Sequence, residues 1–136
     1  MKLNEIVNDT IVNDSPFIPN PFRSSREQRV LFHGTRVEFK LFNRPGQGIY
    51  VTPSAAWAEK HYGTRVIALY ANVTRKYEPS EEEIGLFYDM NYPEIKKLLQ
   101  RLSARGYNCI MFGGESESMV LFNNIELVNA DDGTPL

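Results

Sequence analysis

An α+β fold built on a split antiparallel sheet is the architecture this sequence predicts, and three observations carry the prediction. Short apolar runs bounded by turn residues recur at residues 30–33, 48–52, 65–73, 107–112, 118–122 and 125–128, each long enough for a strand and too short for a helix. Between them lie two segments with helical signals, residues 53–62 and 93–105. Two helices are too few to cover both faces of a doubly wound sheet, and the mixed order does not suit a sandwich. At 136 residues and 15.6 kDa the chain makes one domain that can bury a core without staples. Residues 29–130 read as its body, residues 1–28 as an arm or short helix followed by a proline-rich loop, and residues 131–136 as a polar tail.

The elements follow in order. Leu3, Ile6, Val7 and Ile11 repeat at helical spacing and predict a short amphipathic helix or an arm that docks on the body. SPFIPNPFRSS, residues 15–25, holds three prolines and predicts a loop, which its two phenylalanines anchor. The glycines and proline of Asn43-Arg44-Pro45-Gly46-Gln47-Gly48 mark an exposed loop. Thr52 as cap and Pro53 in the first position open a helix through SAAWAEKHY, which ends near Gly63. Residues 77–92 contain the acidic Glu81, Glu82 and Glu83 and read as a solvated face without chemistry. Ile95, Leu98, Leu99 and Leu102 share one face of a helix over 93–105, and Gly106 stops it.

Composition excludes several classes. A formal charge of −2 gives no electrostatic case for wholesale nucleic-acid or anionic-membrane binding. The single cysteine, Cys109, forbids an internal disulfide, fits a reducing compartment, and lies in an apolar run that predicts core packing rather than nucleophilic catalysis. Two histidines and one cysteine, well separated, predict no metal site. The first residues interleave acids with apolar side chains, unlike a secretory signal, and no later run approaches a membrane span. The expectation is a soluble, cytoplasmic protein, including an effector that a phage or bacterium makes in or delivers into a host cell's cytoplasm.

Candidate functional residues begin at His33-Gly34-Thr35, which closes the first strand. A strand delivers the polar residues at its end to a sheet rim, and a glycine there lets a ligand approach the backbone. A satisfied core histidine is the competing reading. Tyr50 follows in the second strand, His61 and Tyr62 at the end of the next helix, and Glu115, Glu117 and Ser118 at the start of a late strand.

LFHGTR, GIYVTPSAAWAEKHYG and GGESESMVLF, in that order and at that spacing, resemble the motifs of ADP-ribosyltransferases of the His-Tyr-Glu type. That family includes diphtheria toxin and the poly(ADP-ribose) polymerases, and the resemblance here is to small stand-alone bacterial or phage-type domains. It covers residues 30–128, and residues 1–28 fall outside it. It implies NAD+ as substrate, with no metal, and a macromolecular acceptor, which is protein first and nucleic acid second. By the resemblance, His33 bonds a ribose hydroxyl and the Gly34 backbone pairs with the nicotinamide carboxamide, with Thr35 completing the motif. Tyr50 and a second aromatic residue, Tyr62 with His61 as rival, would sandwich the cationic nicotinamide. Cleavage of the glycosidic bond creates an oxocarbenium-like sugar, which a carboxylate bound to the ribose 2′-hydroxyl stabilises.

Which residue supplies that carboxylate depends on register. Gapless alignment puts Ser118 in the position. Glu117, one residue earlier, lies on the opposite face of an ideal strand and needs a bulge or turn to reach the site. Glu115-Ser116-Glu117 also resembles the Glu-x-Glu of the arginine-modifying toxins. The assignment drawn is Glu117 on the ribose and Glu115 assisting the acceptor, with Ser118 as rival. The leading expectation is therefore a mono-ADP-ribosyltransferase. The alternatives are a catalytically inactive binding module on the same fold, and an RNA 2′-phosphotransferase-like enzyme, which would need extra basic residues around the phosphate.

Overall fold

The computed structural model describes residues 16–35 and 48–136. The helix or arm expected over residues 3–11 and the loop at residues 43–47 lie outside the described residues. Strand β1 is Leu31–Thr35, β2 Ile49–Val51, β3 Arg65–Ala71, β4 Lys76–Tyr77, β5 Cys109–Gly113, β6 Ser118–Leu121 and β7 Leu127–Asn129. The helices are α1, Ala55–His61; α2, Glu81–Tyr88; and α3, Tyr92–Ala104. The fold is α+β, with three helices among the described residues and two sheets. One sheet, ordered β1-β3-β7, is antiparallel; the other, β2-β6-β5-β4, is mixed because β4 runs parallel to β5. Both the parallel pair and α2 differ from the sequence expectation.

Alternation along the strands stacks these elements in layers. Leu69 and Ala71 of β3 meet Ile49 and Val51 of β2, Cys109 of β5, and Met119 and Leu121 of β6 in the core between the two sheets. The intervening Ala68 and Tyr70 point the other way, beneath Phe17, Ile18 and Phe22, so the proline-rich loop is anchored as its phenylalanines predict. On the far side of the second sheet, Ile110 and Val120 are covered by Ile95, Leu98, Leu99 and Leu102, the predicted face of α3. Burying each such side chain contributes about 1.5–3 kcal/mol. Gly106, at φ 91, ends that helix as expected. Cys109 is fully buried in the inter-sheet core, and burial pushes its thiol up to about 12, which suits packing and not nucleophilic attack.

One local expectation is corrected and a second is extended. The cap of α1 is Ser54, whose side chain accepts from the Trp57 N–H, rather than Thr52. Thr52 is fully buried and donates its hydroxyl to the Ser116 carbonyl instead, tying the start of α1 to the β5–β6 turn. The acidic run at residues 81–83 is the first turn of α2, where Ser80 and Glu83 form a reciprocal capping box and the carboxylates favour the positive end of the helix dipole.

Ser25 fastens the segment before β1 by donating its hydroxyl to Ala71 O at 2.7 Å and accepting from Val73 N at 2.9 Å. Just beyond it, Glu27 is 3% exposed and accepts from Arg29 Nε at 2.9 Å, Arg29 Nη2 at 3.0 Å and Lys76 Nζ at 3.0 Å. Burial pushes this carboxyl up, but the bonds from Arg29 and Lys76 outweigh it and hold the group at about 2. Because the folded value lies below the ordinary 4.5, its stabilisation is present above pH 4.5 and disappears as pH falls toward 2. Urea midpoints measured across that window should decline by an amount equivalent to no more than about 3 kcal/mol. The same decline in Glu27→Gln would remove Glu27 as its source.

Candidate active site

A cavity of about 600 Å³ opens on the face of the second sheet that also carries α3. Its floor follows from strand phase: Tyr50 pairs with Val120, so Tyr50, Ser118 and Phe112 share the face opposite the inter-sheet core. One wall is α1, through Trp57, His61 and Tyr62; another is α2, through Ile84, Phe87 and Tyr88. The turn at residues 113–116 closes the rim and contributes Glu115. A volume of this size, mostly apolar with a few polar groups, suits a cofactor-sized ligand.

The aromatic pair has a definite geometry. The Tyr50 and Tyr62 ring centroids are 6.2 Å apart at 49°. A flat ring held between two others needs about 7 Å between them, since each carbon contact takes about 3.5 Å. The pair is close to that spacing but tilted, so a sandwiched ring requires the two tyrosines to move parallel. Phe87 meets Tyr50 edge-on at 6.4 Å and limits where its ring can go. Burial, followed by the neighbouring Tyr92 and Tyr62 phenols, pushes the Tyr50 phenol up to about 12, so it is neutral at ordinary pH. His61 also lines the cavity, but its ring stacks on Trp57 at 4.0 Å. Tyr62, not His61, therefore stands beside Tyr50.

His33 and Gly34 brace this site from the first sheet. His33 Nδ1 lies 2.7 Å from the Tyr50 carbonyl; a carbonyl only accepts, so Nδ1 carries a hydrogen. Burial outweighs that bond and lowers the His33 pKa, which favours the neutral ring. Phe32 turns its N–H and C=O away from β3 to bridge Thr52. By strand alternation the Gly34 N–H and C=O project from the same edge. A Cβ at Gly34 would stand 2.5 Å from Ala58 O, so only glycine permits α1 to approach β1 this closely. Thr35 ends β1 opposite Arg65 and does not line the cavity.

The turn before β6 separates the three candidate residues for the carboxylate position. Ser118 faces the cavity, 2.9 Å from the Tyr62 hydroxyl and 2.7 Å from the Ser116 hydroxyl, and so belongs to a row of three hydroxyls. Glu115 lies on the rim. Glu117 has a positive φ of 49 and sends its carboxylate away from the cavity to Arg29 Nη1, at 2.9 Å. The turn that could have brought Glu117 inward is present, yet it directs the side chain outward, contrary to its assignment to the ribose. Sequence reasoning missed the α2 wall, although Ser80 followed three residues later by Glu83 was a readable helix start. Among the described residues no group of three or more His, Cys, Asp or Glu could hold a metal ion, and no helix is long and apolar enough to cross a membrane.

No protein-family model matches the chain, and no curated protein or solved structure is significantly similar to it.

Proposed function

We propose that this cavity binds NAD+ by its nicotinamide-ribose end and that the protein is a mono-ADP-ribosyltransferase of the His-Tyr-Glu-like fold. The observation that supports it most is convergence. Tyr50, Tyr62, Glu115 and Ser118, from separate stretches of chain, line one aromatic cavity, while His33 and Gly34 stand behind its wall, His33 against the Tyr50 carbonyl and Gly34 against α1. Tyr50 and Tyr62 would flank the nicotinamide, the Gly34 backbone would pair with its carboxamide, and Ser118 with Tyr62 would contact the ribose hydroxyls. Glu115 is the carboxylate on the cavity rim, and it takes the electrostatic role first given to Glu117. In the reaction the bond between nicotinamide nitrogen and ribose C1′ breaks and its electron pair leaves with nicotinamide, which becomes neutral. An acceptor nucleophile then bonds to C1′ and releases its proton, with Glu115 stabilising the positive sugar between the two events.

A second reading, a binding module that holds NAD+ without cleaving it, is favoured by one specific observation: the strand position facing the cavity is Ser118, with no charge to stabilise an oxocarbenium ion. The phosphotransferase reading draws no support from the cavity, since among the described lining residues none is lysine or arginine. Calorimetric titration with NAD+, followed by chromatographic assay of released nicotinamide, separates these readings. Binding with release supports the transferase, binding without release supports the module, and no binding removes both.

Tyr50 offers a sharper check on the ligand's orientation. Tyr50→Ala should weaken NAD+ binding by about 1 kcal/mol through lost ring stacking, whereas Tyr50→Phe should leave it nearly unchanged. Equal damage from both substitutions would transfer the role from the ring to the hydroxyl.

A further inference from the structure

Arg29 occupies an unusual position, outside the cavity and bonded at once to the core and to the turn that forms the cavity rim. Its Nε and Nη2 bind the two oxygens of buried Glu27, and its backbone N–H bonds Glu27 Oε2 at 3.1 Å. The remaining Nη1 reaches Glu117. Glu27 is itself fixed by Lys76 at the start of β4. The guanidinium is therefore held from behind by a buried carboxylate that Lys76 also pairs, and it presents its remaining donor to the turn.

The turn needs such a hold. Gly113, Gly114 and Glu117 all have positive φ, and the β5–β6 register shifts between Met111 and Gly113. A non-glycine residue in that conformation is disfavoured, so surrounding contacts must impose it. Glu117 is the last turn residue before β6, so fixing its carboxylate to Arg29 fixes where the chain enters the strand, at Ser118, which faces the cavity.

We propose that Arg29 is a positioning residue: by gripping Glu117 it sets the register of the 113–118 turn, and so decides that Ser118 and Glu115 face whatever the cavity binds. The ligand half of this inference rests on the NAD+ reading; the turn half does not. Arg29 touches no reacting atom and acts only through the turn. Releasing it frees Glu117 and gives the turn access to other registers.

The test is amide hydrogen exchange on the full chain without ligand, for the parent, Arg29→Ala, Arg29→Lys, Glu117→Gln and the Arg29→Ala/Glu117→Gln double variant. Glu117→Gln leaves the Glu27–Arg29 pair in place, so it loosens the turn without disturbing the core. Exchange at residues 115–118 should rise about three- to tenfold in Arg29→Ala and Glu117→Gln, with strand β3 and helix α3 unchanged in Glu117→Gln. The double variant should be no worse than Arg29→Ala, and Arg29→Lys should recover part of the protection. An unchanged turn in Glu117→Gln, or a rise spread evenly over β3 and α3 in all variants, would overturn the proposal. NAD+ titration of the same proteins should show weaker binding in the loosened variants. Local loosening in a chain that does not bind NAD+ supports the positioning role and removes the ligand reading alone.

Discussion

Gly34→Val is expected to cost about 3 kcal/mol or more of folding stability and to abolish ligand binding in whatever folded fraction remains. The added Cβ would meet Ala58 O at 2.5 Å and both Gly63 O and the Tyr62 Cβ at 3.0 Å, and the branch carbons of valine would add to the clash. Overpacking a close site costs typically 1–3 kcal/mol, and more when backbone atoms, which cannot rotate aside, are the obstacle. Gly34 has no positive φ, so the penalty is steric and not a matter of backbone preference. The strain would be relieved by lifting α1 away from β1, which carries Tyr62 away from Tyr50 and Ser118. Urea denaturation measures the first effect and NAD+ titration of the soluble fraction the second. A loss below about 1 kcal/mol would mean that α1 does not sit on β1 this closely in solution.

The features that were legible in the sequence depend on local pattern. Helix α3 declares itself through Ile95, Leu98, Leu99 and Leu102, and β2, β5 and β6 of the second sheet through short apolar runs. Gly34 stood out as a point where a ligand could approach the backbone, and the close approach there is made by helix α1. The less legible features depend on contacts distant in sequence. Strand β4 is two residues long and exists only because β5, more than thirty residues later, pairs beside it. Helix α2 was hidden by its own first-turn carboxylates, which look like a solvated run until the capping box explains them. The choice between His61 and Tyr62 turns on a single step of helix phase, decided by Trp57 stacking on the one and Tyr50 approaching the other. The choice among Glu115, Glu117 and Ser118 was the hardest to read. It is set by Arg29, 88 residues before Glu117, and nothing near the turn reveals that partner.

Glu115→Gln should lower NAD+ turnover by about a hundred- to a thousandfold while leaving the NAD+ dissociation constant nearly unchanged. A carboxylate that stabilises a developing oxocarbenium ion interacts most strongly when the positive charge has formed, so its removal affects the rate far more than ground-state binding. Glutamine keeps the shape and the hydrogen-bonding oxygen, so the loss reports charge. Ser118→Ala removes a hydroxyl that would contact the ribose and should instead weaken binding, by about 1 kcal/mol, with a smaller effect on rate. Glu117→Gln, whose carboxylate lies outside the cavity, should lower turnover by less than about tenfold, through the turn alone. The informative addition is Ser118→Glu, which places a carboxylate on the strand position that faces the cavity beside Tyr62. If Glu115 already supplies the charge, Ser118→Glu crowds the site and turnover falls. If turnover appears or rises in Ser118→Glu and is untouched in Glu115→Gln, the parent cavity lacks its catalytic carboxylate and the protein is a binding module with the frame of an enzyme.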